Sequence, residues 1–314
     1  MTVQFWTQKL VSEAAKALVG QEENFKLILC ALFSRGHVLL EGAPGLGKTL
    51  AARVLAIIFE GDYARIQFTP DLMPSDITGG SVFDFETRVF MVRKGPLFNN
   101  IILADEINRT PPKTQSALLE AMSERSVSID GNTMPLDFPF MVIATQNPIE
   151  FEGTYPLPEA QLDRFMLKIK ADYPDMLEEQ EIVRRNLAGA NEDSIIANVA
   201  KVFGKQDLAS LEEELAGIKE QDNILQYIAD IVRSTRKNRF LLMGASPRAS
   251  IALAKTARTW AAMSGRNYVL PEDVLDLALP VLRHRVILTP NAELEGITIE
   301  RALQEIISKV EIPR

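Results

Sequence analysis

The sequence feature that most constrains the fold is a glycine-rich segment between a short apolar run and a helical pattern. Residues 42–49 read GAPGLGKT, which matches the G-x-x-x-x-G-K-[ST] pattern of phosphate-binding loops. An apolar run over residues 37–41 precedes this loop, and a helical pattern continues after it to Phe59. A glycine-rich turn without a ligand is the simpler alternative, but these flanking patterns favour nucleotide binding.

The residue types of this loop suit the phosphates of a nucleotide. Glycines let backbone N–H groups turn inward around phosphate oxygens, and the N-terminus of the following helix adds a favourable partial positive charge. Lys48 would reach the β- and γ-phosphates, and the Thr49 hydroxyl would ligate Mg²⁺. The residues predicted to bind nucleotide here are Gly42, Pro44, Gly45, Leu46, Gly47, Lys48, Thr49 and Leu50.

The apolar patterning divides the chain into two parts. Up to about residue 187, runs rich in Val, Ile, Leu and Phe alternate with helix-like segments, which is typical of a parallel sheet covered on both faces. The five predicted strands are residues 37–41, 63–68, 101–104, 140–144 and 165–169. Mixed segments at residues 80–95 and 126–136 predict two hairpins. We therefore predict a P-loop α/β core with a five-stranded parallel sheet and two hairpin insertions over residues 1–187.

After residue 187 the pattern changes to amphipathic helices. Apolar residues recur at helical spacing at Leu225, Ile228, Ile231 and Val232, and again at Val274, Leu277, Ala278 and Leu282. Ser246 and Pro247 predict the N-cap and first turn of a helix that Gly265 closes. We predict a smaller helical lid domain over residues 188–314.

Composition excludes several classes of function. The 314 residues are 46% hydrophobic and 24% charged, which is the balance of a folded globular protein rather than a disordered chain. The sequence has one cysteine, Cys30, and two histidines, His37 and His284, which excludes internal disulfides and cysteine-based zinc sites. The formal net charge of −8 argues against a protein whose main role is to coat nucleic acid.

The sequence also predicts a cytoplasmic protein without stable membrane insertion. No apolar run approaches the ~20 residues that are needed to span a bilayer. The first ten residues, MTVQFWTQKL, lack the basic and then apolar layout of a signal peptide.

Two carboxylates follow the third predicted strand. Residues 101–104 read IILA, and Asp105 and Glu106 come directly after them, at the end of a strand where open α/β sheets place their ligand groups. Alone, such a run would more often be a strand entering a turn. Behind a phosphate-binding loop, Asp105 is predicted to hold Mg²⁺ and Glu106 to be the general base that polarises the attacking water.

The fourth predicted strand also ends in polar residues, Thr145, Gln146 and Asn147. Asn147 would hold the attacking water between Glu106 and the γ-phosphate. Its alternative role is an Asx turn before Pro148, and without the other motifs this is the better assignment.

Two arginines are candidates for the positive charge that phosphoryl transfer requires. Arg164 directly precedes the fifth predicted strand, and Arg248 lies in the first turn of the helix that begins after Ser246. A surface position or an ion pair is the alternative for each of them. Asp163, beside Arg164, is an obvious partner for such a pair.

The motifs also occur in an order that resembles a known family. GAPGLGKT, IILADE, ATQNP, LPEAQLDRF and GASPRAS follow one another as in the AAA+ ATPases, and their wording closely resembles the MoxR family over nearly the whole chain. The resemblance implies that Asn147 is the sensor 1 residue and that Arg248 is the sensor 2 residue of the lid. It implies that Arg164 is the arginine finger acting on a neighbour's nucleotide. Arg109, in DEINRT, is a second candidate for the finger.

The resemblance assigns roles to other segments too. It implies that Val19, Gly20 and Gln21 line the adenine pocket, and it equates the two predicted hairpins with the family's helix-2 insert and pre-sensor-1 hairpin. It further implies a homohexameric ring that hydrolyses ATP with Mg²⁺ and remodels client proteins, frequently ones with a von Willebrand factor A domain. That domain and its metal-binding motif do not occur in this sequence, so we expect any such client to be another chain.

Two other functions stay open. A nucleic-acid motor would need basic and aromatic residues on its hairpins. The second hairpin offers neither over residues 126–134, and the first sets Arg88 and Arg93 against Asp84 and Glu86, so we predict no nucleic-acid partner. A regulatory ATP-dependent scaffold, whose turnover is incidental, is the third hypothesis. ATP turnover with and without a partner would separate it from a remodeller.

Overall fold

The computed structural model describes residues 2–43, 45–147, 154–189 and 191–313. Its strands are β1 Val38–Glu41, β2 Tyr63–Gln67, β3 Gly79–Asp84, β4 Val89–Lys94, β5 Ile101–Asp105, β6 Ser126–Ile129, β7 Asn132–Pro135, β8 Met141–Gln146, β9 Leu167–Lys170, β10 Leu241–Met243 and β11 Ile287–Leu288. Its α-helices are α1 Val3–Ala14, α2 Glu22–Phe33, α3 Lys48–Ile58, α4 Pro74–Thr78, α5 Pro112–Glu124, α6 Glu159–Leu162, α7 Met176–Leu187, α8 Glu192–Ile196, α9 Lys205–Ala216, α10 Asp222–Thr235, α11 Pro247–Met263, α12 Pro271–Leu282, α13 Pro290–Leu294 and α14 Ile299–Ser308. Within these described ranges, none of the helices combines the length and the apolar character that crossing a bilayer requires.

Five strands form one parallel sheet in the order β2-β5-β8-β1-β9. They are the five predicted strands, so the predicted α/β fold with a five-stranded parallel sheet is confirmed. Because β5, β8 and β1 are neighbours in this order, the chain segments that follow them meet at one edge of the sheet. That edge carries the phosphate-binding loop, the acidic pair and Asn147.

Both faces of the three central strands, β5, β8 and β1, are buried, which explains why these strands are apolar at successive positions. Val38 and Leu40 face one hydrophobic cluster, together with α1, α2, α3 and the C-terminal helices α10, α11 and α12. Leu39 faces the opposite cluster, which is formed with α4 and α5. The C-terminal helices therefore share a continuous core with the sheet.

The two segments that were predicted to form hairpins each do so. β3 pairs with β4 in antiparallel register, and β6 pairs with β7. Asp130 and Gly131 both have positive φ angles, of 49° and 81°, which suits the two-residue turn between β6 and β7. All six residues of β4 are exposed, so the first hairpin stands away from the rest of the molecule.

The predicted helix signals in the C-terminal half are correct in their main points. The Ser246 hydroxyl caps α11 by accepting a hydrogen bond from the Arg248 backbone N–H at 3.2 Å, and Gly265 follows the helix with a φ of +79°. One position differs from its pattern. Leu225 has the apolar spacing of α10 but is 44% exposed, because the buried face of that helix is centred on Ile228 and Ile231.

Candidate active site

The phosphate-binding loop joins β1 to α3 and is fixed from outside by a glutamine. Gly45 and Gly47 have φ angles of +84° and +70°, which favour glycine. The Gln21 side chain donates a hydrogen bond to the Leu46 carbonyl at 2.8 Å. A Cβ atom at Gly47 would lie 2.7 Å from Nε2 of Gln21, so a larger residue there would displace this contact.

Lys48 is the first residue of α3 and points back into the loop. Its Nζ donates to the Gly42 carbonyl at 2.6 Å and to the Ala43 carbonyl at 3.3 Å. Burial lowers the pKa of Lys48, while the charges of Asp105 and Glu106 raise it. The acidic pair therefore helps to keep this ammonium charged, and phosphate oxygens are suitable replacements for its carbonyl partners.

Asp105 ends β5 in a network with two neighbouring strands. Its Oδ1 accepts a hydrogen bond from the Thr145 hydroxyl at 2.6 Å, and the same hydroxyl accepts from the Glu106 N–H at 2.9 Å. Its Oδ2 accepts from Nη2 of Arg65 on β2 at 2.6 Å. The carboxylate is thus held at the sheet edge, beside the loop that follows β1.

Glu106 lies directly after this strand in a left-handed conformation, with a φ of 57°. Such a conformation costs about 1–2 kcal/mol for a residue with a Cβ atom. Its Oε2 accepts hydrogen bonds from Nε2 of Gln67 and from Nη1 of Arg109, each at 2.9 Å. The carboxylate would have to exchange these partners for a water molecule before acting as a base.

Asn147 follows β8, between the segments that follow β5 and β1, and it is 6% exposed. The sheet order thus brings Asn147, the acidic pair and the loop together, as expected. The alternative Asx turn depends on Pro148. Both Pro148 and the predicted loop residue Pro44 lie outside the described residues.

A cavity of about 290 Å³ adjoins the loop. It contains the predicted adenine-pocket residues Val19, Gly20 and Gln21, together with Gly45, Leu46, Gly47 and Leu50 of the loop and α3. Its opposite wall was not predicted and comes from α7, with Ile182 and Asn186, and from the start and body of α8, with its N-cap Asn191 and Ile195. Apolar walls with a few amide groups suit a flat base that carries hydrogen-bonding edges.

The oxygen donors at the sheet edge fit a magnesium ion bound together with phosphates. Thr49 is the second residue of α3, and Asp105 supplies a carboxylate at the neighbouring strand end. Over the described ranges no group of three or more His, Cys, Asp or Glu side chains is arranged to hold a metal. This composition suits Mg²⁺, which is usually bound by one or two protein oxygens and by substrate phosphates.

Of the three candidate arginines, Arg164 and Arg248 make no described contact with the loop or the acidic pair. Arg164 is exposed, and its Nη1 donates to the Leu119 carbonyl and to the Ser123 hydroxyl of α5, each at 2.5 Å. Arg248 is 72% exposed and has its Nη1 4.0 Å from Oδ2 of Asp163. Arg109 pairs instead with Glu106 of its own chain.

The predicted alternative pairing of Arg164 with Asp163 is wrong. The Asp163 carboxylate turns to the other side of the chain, where Nε of Arg285 donates to it at 2.7 Å. Ser246 also donates to this carboxylate, at 3.0 Å. Adjacent residues project in different directions, and a buried arginine from a distant segment is the better-placed partner.

Several residues of this site were not assigned from the sequence. Arg65, Gln67 and Thr145 contact the acidic pair, and their signal was a polar side chain at or near the end of an apolar strand. The cavity residues of α7 and α8 carry no such signal. Their position depends on how the chain returns to the loop after β9.

Comparison with known families gives matches to both halves of the chain. The model of the ATPase family associated with various cellular activities (AAA) matches residues 37–167. The model of the AAA lid domain matches residues 233–306.

Individual relatives match almost the whole chain. YeaC, an uncharacterised protein of Bacillus subtilis, is 48% identical over 305 residues, which cover 97% of this chain and 94% of that protein. Chaperone MoxR1 of Mycobacterium tuberculosis is 43% identical over 317 residues, which cover 98% of this chain and 82% of that protein. A crystal structure of a Cytophaga hutchinsonii protein, described by inference as an ATPase, is 43% identical with a TM-score of 0.91 and covers 99% of this chain and 96% of its own.

Proposed function

Because this chain belongs to the MoxR family of AAA+ ATPases, we propose that it works as a ring that uses ATP hydrolysis to remodel partner proteins. The hydrolysis of ATP follows from that membership. The observation that carries the hydrolytic part of the proposal is the meeting of Lys48, Asp105, Glu106 and Asn147 beyond three neighbouring strand ends. We also propose that the nucleotide-binding core ends with α7, at residue 187, and that the lid domain extends over residues 188–314.

Each residue at the sheet edge has a separate role in the proposed hydrolysis. Lys48 and the loop N–H groups bind the β- and γ-phosphates, and the cavity beside Gln21 takes the adenine. Thr49 and Asp105 are the residues that would hold Mg²⁺, which when bound neutralises phosphate charge. Glu106, with Asn147, orients a water molecule and accepts its proton as the water oxygen bonds to the γ-phosphorus. The bond to the β-phosphate oxygen breaks, and ADP leaves with that electron pair.

The proposed ring supplies the remaining positive charge. Arg248, in the first turn of α11, would contact the nucleotide of its own chain. Arg164 is exposed and donates to α5 rather than to the described residues of its own phosphate-binding loop, which supports action on a neighbour's nucleotide. A homohexamer is the proposed assembly. Magnesium dependence and a cytoplasmic location complete the proposal.

The first hairpin is the proposed surface for client contact. Its aromatic side chains pack edge to face, with the ring centroid of Phe83 5.2 Å from those of both Phe85 and Phe90. Phe85 is 85% exposed and Phe90 is 69% exposed. Such an exposed apolar cluster favours an interaction with another protein, and proteins with a von Willebrand factor A domain are the proposed clients.

Turnover and client capture test this proposal together. Glu106→Gln protein with ATP should retain a client that Lys48→Ala protein does not, because only the first variant keeps ATP bound. A client that is genuinely remodelled should also raise the turnover of the unmodified chain. Replacing Phe85 and Phe90 by serine should abolish that stimulation and leave basal turnover unchanged. Stimulation that survives the double replacement contradicts the role of the hairpin.

A nucleic-acid motor is the second candidate, and the same hairpin favours it. Three exposed phenylalanines together with Arg88, Arg93 and Lys94 give a surface on which bases could stack. The net charge of −8 opposes this function. Single-stranded DNA at physiological salt should leave ATP turnover unchanged, and a several-fold stimulation would favour the motor over the remodeller.

A further inference from the structure

We propose that Asp163 is a positioning residue that ties the lid to Arg164, so that the nucleotide state of one chain sets the position of the finger it offers to the next. This inference rests on the proposed function, because it assumes that Arg164 acts on a neighbour's nucleotide. It assigns a function to a residue that contacts neither the loop nor the acidic pair in any described contact.

Asp163 is the one core carboxylate that receives three groups of the lid within the described residues. Its Oδ1 accepts a hydrogen bond from Nε of Arg285 at 2.7 Å. Its Oδ2 accepts from the Ser246 hydroxyl at 3.0 Å and lies 4.0 Å from Nη1 of Arg248. Ser246 is also the N-cap of α11, so the start of the helix that carries Arg248 is bonded directly to the residue before Arg164.

The lid holds the backbone on the other side of Arg164 as well. Nη2 of Arg285 donates to the Phe165 carbonyl at 2.7 Å, and Nη1 donates to the Met166 carbonyl at 3.2 Å. Nε2 of His284 lies 2.9 Å from the same Phe165 oxygen. Nη2 of Arg285 also donates to the Asp163 carbonyl at 3.4 Å. Because the Arg285 side chain is only 3% exposed, a buried group holds the backbone before and after residue 164.

The Arg164 side chain does not contact the lid in any described contact. It reaches α5 through the Leu119 carbonyl and the Ser123 hydroxyl, and it is exposed. The position of its Cα atom is set by the backbone on either side, which the lid residues hold. A shift of the lid relative to the sheet would therefore move the finger.

Of the three lid contacts of Asp163, the one with Arg248 is the contact that a bound nucleotide can change. Arg248 is 72% exposed, and the 4.0 Å pair with Asp163 is its one ion pair among the described residues. Such a long and exposed pair is weak, so a γ-phosphate can replace it at little cost. When Arg248 turns to the phosphate, α11 and its N-cap follow, and the Ser246 bond transmits the movement to Asp163.

The competing role for Asp163 is purely structural, as the partner of a buried arginine. A double-mutant cycle with Arg164 separates the two roles, because only a residue that acts through Arg164 loses its effect when that arginine is absent. Asp163→Asn removes the charge and keeps the shape. Ser246→Ala breaks the link between Asp163 and the start of α11 and leaves the Asp163–Arg285 ion pair intact, so it covers the case in which Asp163→Asn fails to fold. Asp130→Asn, at the exposed turn between β6 and β7, is the matched control.

Asp163→Asn should lower kcat by roughly 10-fold to 100-fold, which is the cost of a finger misplaced by about 1 Å, with the Kd for ATP within about 3-fold of the unmodified value. Ser246→Ala should give a smaller loss of the same kind. Neither change should lower kcat further in Arg164→Ala protein, and Asp130→Asn should change nothing. Losses that multiply with that of Arg164→Ala overturn the inference, as does a loss of thermal stability with kcat unchanged. If Arg164→Ala alone leaves kcat unchanged, the proposed finger is wrong and this inference falls with it.

Discussion

The sheet edge and the two surface arginines differ in how their polar groups are held. At the sheet edge, Lys48, Asp105 and Glu106 each contact described residues of their own core, over distances of 2.6 to 2.9 Å. Arg164 and Arg248 are exposed and make no described contact with that edge. The difference fits the proposed division, in which the sheet edge of one chain binds the nucleotide and the lid and a neighbouring chain supply the positive charge that completes hydrolysis.

The largest expected effect concerns nucleotide binding at the sheet edge. Lys48→Ala removes the half-buried charge that would face the β- and γ-phosphates, so it should weaken ATP binding by about 2–5 kcal/mol, or roughly 30-fold to several thousand-fold. Lys113→Ala, the same change at an exposed lysine of α5, is the control. Calorimetry with a non-hydrolysable ATP analogue measures both.

Glu106→Gln should show the opposite behaviour at the same edge. Without a general base, turnover should fall on the order of 10²- to 10⁴-fold while the analogue still binds. Equal binding by Glu106→Gln and Lys48→Ala proteins would contradict the assignment of the loop.

The sheet that supports this edge should be sensitive to acid. His37 lies just before β1, where its Nδ1 accepts from the Val142 N–H at 3.0 Å and its Nε2 lies 3.1 Å from the Met122 carbonyl. Burial lowers the pKa of His37 to about 4. The pKa of His37 is lower in the folded state than in the unfolded state. Its contribution to the free energy of unfolding is therefore complete above about pH 6.5 and is lost as the pH falls towards 4.

The expected loss from His37 is about 3 kcal/mol of unfolding free energy, with one proton taken up on unfolding. Urea unfolding at several pH values between 7 and 4 measures it. His37→Gln should reduce the slope of unfolding free energy against pH by the equivalent of about one proton. His284, whose pKa burial also lowers, should keep the remaining slope of the variant above zero. An unchanged slope in His37→Gln protein would show that His37 is protonated in the folded state.

The smallest expected effect concerns the restraint on Glu106. Gln67→Ala removes one of the two described hydrogen bonds to its carboxylate, so basal turnover should rise about 2- to 10-fold, the worth of one such bond. Gln226 donates to Asp230 at 2.8 Å on α10, far from the site in sequence, and Gln226→Ala is the matched control. Slower turnover of Gln67→Ala protein would mean that Gln67 assists the base instead of restraining it.

The comparison also shows what the sequence could reveal. The loop, the acidic pair and Asn147 were predictable because each is a short motif directly after an apolar strand, and parallel strands bring such ends together. The contact of Gln67 with Glu106 depends on β2 and β5 being neighbours with Gln67 opposite Asp105, which the order of motifs does not specify.

The surroundings of Arg164 were harder to predict for a similar reason. Sequence adjacency suggested a pair with Asp163, but the carboxylate binds Arg285, which lies 122 residues away. Helix α7 lines the cavity beside the loop because the chain returns there after β9, and no sequence motif marks this return. Long-range packing of this kind leaves no local pattern in the sequence.

The most direct test of the account is the mixing of two inactive variants. Arg164→Ala protomers keep their own loop and base but offer no finger, whereas Glu106→Gln protomers lack the base and keep the finger. Each variant alone should hydrolyse ATP on the order of 10²-fold or more slowly. Mixed assemblies should recover turnover, because a Glu106→Gln neighbour supplies the arginine that an Arg164→Ala site lacks. No recovery in assemblies that demonstrably contain both variants would contradict the trans-acting role of Arg164.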